Sequence, residues 1–94
     1  MNSDAAQALA LDALIWLCND ENLLPVFLAA TGAAPADLRA ALGDAEPGLA
    51  LAALDFILMR DATVLDCATS LGIAPERLAQ AHVVLQGAAG QHWT

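Results

Sequence analysis

The chain has 94 residues and a net charge of −8, set by eleven carboxylates against Arg39, Arg60 and Arg77, with no lysine. Neutralising a phosphate backbone takes several cations on one face, so nucleic acid is an unlikely partner, and a protein partner, basic if anything, fits better. Apolar residues make up 59% of the chain, yet the longest uncharged apolar stretch, Asn22 to Ala36, is broken by Pro25, Gly32 and Pro35, so no membrane span is expected.

Ala and Leu dominate, β-branched residues are few and period-2 alternation is absent, so the expected elements are all helical. The start, Met1-Asn2-Ser3-Asp4, has no basic segment ahead of an apolar one, which makes a cytoplasmic location the expectation. The first helix is expected from Asp4, which with Gln7 has the form of a capping box. Leu11, Leu14, Ile15 and Cys18 follow at i, i+3, i+4 and i+7, an apolar stripe widened by Trp16 and Leu17. Asn19-Asp20 breaks the pattern.

Pro25 is tolerated only in a first turn, which places the second helix's N-cap at Asn22 and its end at Gly32, in a left-handed conformation. The third opens with Pro35 and with Asp37 beside the positive end of the helix dipole, and stops at Gly43. Asp44-Ala45-Glu46-Pro47-Gly48 is a short turn-rich linker. The fourth helix is expected over Pro47 to Met59, with Leu51, Leu54, Ile57 and Leu58 on the core side. The fifth runs from Asp61 to Gly72, and the sixth from Pro75 until it fades at Gly87. Residues 88–94, with Trp93, read as a loose tail.

These helices echo each other. Residues 9–42 align without a gap on 49–82, with ten identities where composition alone supplies roughly four. Gly32 pairs with Gly72, Pro35 with Pro75, and Trp16 meets Phe56. The expected architecture is therefore an all-α, compact six-helix domain over residues 1–94, built from two similar three-helix halves (about 4–43 and 47–87). What repeats is core and helix punctuation. Charged positions mostly differ, as in Asp37 against Arg77, although Glu21 meets Asp61.

Chemistry finds little to stand on. Cys18 and Cys67 align with large hydrophobes (Leu58 and Phe27), so both are expected as buried, reduced thiols. Neither has a CxxC or Cys/His partner spacing that would hold a metal. His82 falls on the apolar face of the sixth helix, where a half-buried packing histidine is expected. There is no phosphate loop, HExxH, calcium loop or nucleophile–base order, so no catalytic, cofactor-binding or metal-binding residue is assigned, and no cofactor.

One outline does resemble a helix-turn-helix: Ala68, Gly72 and Ile73 followed by Leu78. Its second helix would offer Glu76, Arg77, Ala79, Gln80 and His82 to a groove, a poor set for reading bases. A tight glycine turn joining two packed helices accounts for the same residues.

The stretch Ala8-Leu9-Ala10-Leu11-Asp12-Ala13-Leu14-Ile15-Trp16-Leu17 and the run Leu28 to Arg39 resemble an uncharacterised bacterial family, catalogued as domain of unknown function 3572. The similarity continues through Leu54-Asp55-Phe56-Ile57-Leu58 into the turn from Gly72 to Leu78. The resemblance implies a compact, cytoplasmic helical protein and brings no assigned activity or site residues. The functional expectation is a small non-enzymatic interaction or regulatory protein, with a homo-oligomer as one form of that interaction, since its apolar excess has an economical home in an interface. The alternative is a degenerate helix-turn-helix regulator.

Overall fold

Helix α1 (Ser3–Cys18) is started by Asn2, whose side chain accepts a hydrogen bond from the Ala5 N–H at 2.7 Å. The cap is thus Asn2 and not Asp4, which lies within the first turn and complements the dipole there. The computed structural model describes residues 1–44 and 47–90, and side chains over 1–40 and 48–87.

The buried face of α1 is Ala6, Leu9, Ala10, Ala13, Leu14 and Leu17. This corrects the expected stripe: Leu14 is fully buried, Leu11 and Cys18 are half-buried, and Ile15 is 42% exposed. The reason is steric. Three alanines on the inner face let neighbouring helix backbones approach closely, so small residues set the interface and a count of bulky ones points to the wrong side.

Asp20 then does what Asn22 was expected to do. Its Oδ1 accepts from the N–H groups of Asn22 and Leu23, at 2.9 and 3.0 Å. Asn22 itself is helical (φ −88°, ψ −36°) and makes no side-chain cap. Helix α2 (Leu23–Thr31) takes Pro25 in its first turn and ends at Gly32, left-handed at φ 72°. Helix α3 (Pro35–Asp44) begins with the Ala34 N–H donating to Asp37 Oδ2 at 2.8 Å, one arm of a capping box.

Helix α4 (Pro47–Leu58) buries Ala50, Ala53, Leu54 and Ile57, with Leu51 and Leu58 half-buried beside them. Helix α5 (Asp61–Leu71) buries Thr63, Cys67 and Ala68 and ends at Gly72, left-handed at φ 68°. Helix α6 (Glu76–Gly90) buries Leu78, Ala81 and Leu85. It does not fade at Gly87: Gly87 to Gly90 continue the helix, while Trp93 lies outside the described residues. Among the described residues no strand occurs.

Helix α1 packs on both α4 and α6, which also touch each other, and α5 joins α4 and α1 on one side. At the other end α2 packs on α1 and α4, and α3 on α4. One core cluster takes the first half of α1 with Leu54, Ile57, Cys67, Leu78 and Leu85. The second gathers Leu14, Leu17, Phe27, Leu38 and Ala53. Each cluster draws on both halves of the sequence, so the two halves share their apolar surfaces. Phe27 and Phe56 meet edge to face, with centroids 5.5 Å apart, a favourable aromatic geometry.

Several aligned pairs occupy like environments: Leu14 and Leu54 are fully buried, Leu38 and Leu78 are buried, and Gly32 and Gly72 are left-handed. Helices α3 and α6 are not used alike, since α6 packs across both α1 and α4. No single helix among the described residues is long and apolar enough to cross a membrane; α1 and α2 pass that test only as a pair, bent by 116° at their break.

Candidate functional site

Helix α2 carries Leu23, Val26 and Ala30 at i, i+3 and i+7, a stripe that faces the end of α4 and the start of α5. Together with Phe56, Met59, Arg60 and Thr63 these residues line a groove of about 290 Å³. Leu23 and Phe56 are half-buried on its inner side. Its outer walls are open, with Val26 53% and Met59 78% exposed. Phe56 is held in place by the edge contact with Phe27, which is itself fully buried. The groove therefore has a rigid inner wall and an adaptable outer one, because a methionine side chain has three rotatable bonds and a polarizable sulfur.

Sequence reasoning missed this groove. The i, i+3, i+7 spacing of Leu23, Val26 and Ala30 in α2 was the available signal, but nothing local shows that α4 and α5 leave that side uncovered. A second, wider depression lies along α6, lined by Met1, Ala79, Gln80, Val83 and Val84. It is open surface, and Val83 is 68% exposed there.

His82 does more than pack. Its Nε2 contacts Asp55 Oδ1 across the α4–α6 interface. The His82 side chain is 17% exposed and that of Asp55 55%. The two residues lie 27 positions apart, so no local pattern could have paired them. The contact ties α6 to α4 and leaves His82 turned away from the face that a helix-turn-helix would present. Glu76, Arg77, Ala79 and Gln80 remain exposed on α6, and there the one cation sits beside a carboxylate. The turn itself has helix-turn-helix sterics: Ala68 and Leu78 are buried against each other's cluster and Gly72 is left-handed.

Cys67 is fully buried and Cys18 half-buried, and both are free thiols. Burial pushes the Cys67 thiol up to about 11 and raises Cys18 as well. Thiolate is the reactive form, so both side chains are poor nucleophiles at neutral pH. Among the described residues no three His, Cys, Asp or Glu side chains come together in a way that could hold a metal ion. The most developed concave feature among the described residues is the apolar groove, open on its outer side.

Neither the curated proteins nor the solved structures compared with this chain include a match. A family model does match, described as "Protein of unknown function (DUF3572)", and it covers residues 3–88, from the first residue of α1 nearly to the end of α6. The helix cores and glycine turns described above all lie within that span, and the chain belongs to the DUF3572 family.

Proposed function

We propose that this protein acts by binding another protein through the groove between α2, α4 and α5, and that it is not an enzyme. The observation that carries the reading is the gathering of exposed Val26 and Met59 beside half-buried Leu23 and Phe56. Clustered apolar surface of this kind marks interaction sites more often than scattered single side chains do. A cytoplasmic, bacterial setting and an acidic surface that keeps an apolar chain soluble belong to the same reading. So does the origin of the scaffold in a duplicated three-helix unit, which the like environments of Leu14 and Leu54 and of Gly32 and Gly72 support.

The test is co-purification from the native host, with wild type compared against Met59→Glu and the mass of each complex read by light scattering. The wild type should carry a stoichiometric partner, either a second copy or another protein, which the variant loses. Equal mass and composition for both proteins would remove the groove from the account.

The second reading, a degenerate helix-turn-helix regulator, rests on the buried Ala68 and Leu78 around the left-handed Gly72. Gel retardation at low salt addresses it, since even non-specific binding strengthens as ionic strength falls. No retardation under those conditions would leave this reading without support.

A further inference from the structure

The groove is apolar along its length but not at its end, and that end narrows what the proposed docking surface takes. Three features suited to a negative charge adjoin one another there. Arg60 lines the groove and is exposed, and among the described residues it has no carboxylate within ion-pair distance. Thr63 also lines it and is only 8% exposed. The side-chain hydrogen bonds among the described residues include none from its hydroxyl, and that oxygen keeps some contact with solvent.

The third feature is backbone. Arg60 holds the N-cap position of α5 in an extended conformation (φ −134°, ψ 128°), and its side chain makes no cap hydrogen bond. Among the described residues no side chain accepts from the first-turn N–H groups of α5, which lie at the positive end of the helix dipole. Asp61 in that turn is exposed and moderates this field without capping the helix.

We propose that the groove binds an apolar helical segment of a partner protein that carries one carboxylate. Its bulky side chains lie between α2 and α4, and its carboxylate meets the Arg60 guanidinium and the Thr63 hydroxyl. This inference rests on the docking role proposed above. Net charge alone favours a basic partner, but exposed charges are screened within about 8 Å at physiological salt, so the groups lining the groove decide which residue is accepted at contact. A peptide fits better than a small molecule. A volume of about 290 Å³ is at the low end for small-ligand pockets, which enclose most of their ligand, whereas here Val26 and Met59 leave the outer side open. Two large side chains presented one turn apart on a helix suit such a groove.

The experiment uses the full chain and a fluorescein-labelled helical peptide of about 15 residues, with leucine and phenylalanine one turn apart and a glutamate beside them. Two further peptides carry glutamine or lysine in place of the glutamate. Fluorescence anisotropy should show the glutamate peptide binding about tenfold more tightly than the glutamine peptide, the scale of one charge-assisted hydrogen bond. Amide shifts should change at Val26, Met59, Arg60 and Thr63. Arg60→Gln should level the two affinities, Thr63→Val should narrow the gap, and Met59→Glu should abolish binding of both peptides with an unchanged urea midpoint. Equal affinity of the glutamate and glutamine peptides for wild type, or tighter binding of the lysine peptide, overturns the carboxylate preference and leaves the docking role standing. No binding of any peptide, or binding that Met59→Glu does not disturb, overturns both.

Discussion

Raising the pH from 8 to 11 should destabilise this protein through Cys67 almost alone. The chain has no tyrosine and no lysine, so the side chains that ordinarily titrate in this window are missing and only the two thiols remain. In the unfolded chain a thiol ionises near 9.0, whereas burial holds Cys67 protonated up to about 11. Between these values the folded protein keeps a proton that the unfolded chain has lost. Because the unfolded state then binds fewer protons, stability falls as pH rises. Below the unfolded value the contribution is complete and flat. Each pH unit inside the window removes up to about 1.4 kcal/mol, and the whole shift amounts to roughly 2 to 3 kcal/mol, a large share of a small domain's stability.

The assay is urea unfolding followed by far-ultraviolet circular dichroism at half-unit pH steps, for wild type, Cys18→Ala and Cys67→Ala. Cys18 is also raised and adds a smaller loss in the same direction, which its own variant isolates. Cys67→Ala should begin less stable at pH 8, because it leaves a small cavity, and then lose little more on the way to pH 11. A wild-type profile that stays flat from pH 9 to 11, or an equally steep one in Cys67→Ala, would refute the reasoning that the fold excludes the thiolate.

Glycine to alanine should change sign along the chain: Gly72→Ala, at φ 68°, loses about 1 kcal/mol to left-handed strain, although nothing crowds the added Cβ. Gly87→Ala, inside α6 with equally open space, should gain about 0.5–1 kcal/mol, as thermal melts would show. Phe27→Ala, at a fully buried position in edge contact with Phe56, should cost about 3–5 kcal/mol, while exposed Val26→Ala stays within about 0.5 kcal/mol; chemical denaturation separates them. Asp20→Ala, which removes the acceptor for two N–H groups, should cost about 1 kcal/mol, and Asn22→Ala under about 0.5 kcal/mol. A double-mutant cycle between Asp55 and His82 should return a coupling below about 1 kcal/mol, because the Asp55 side chain is 55% exposed and water competes for the contact.

Which segments are helices, and where most of them stop, can be read from the chain alone. Such information is local: a proline fixes one φ, and a glycine admits a left-handed residue. Pro35, Gly32 and Gly72 were therefore legible, and the membership of residues 3–88 in the family rests on the same cores and turns. Tertiary structure decided which face of each helix turned inward. In α1 the alanines at 6, 10 and 13 set the contact, because close approach of α4 and α6 rewards small side chains that a search for bulky stripes passes over. It also decided that Asp55 and His82 meet, and that Val26, Met59, Arg60 and Thr63 share one groove. Each of those depends on helices distant in sequence arriving at one place, and no spacing along the chain encodes that distance.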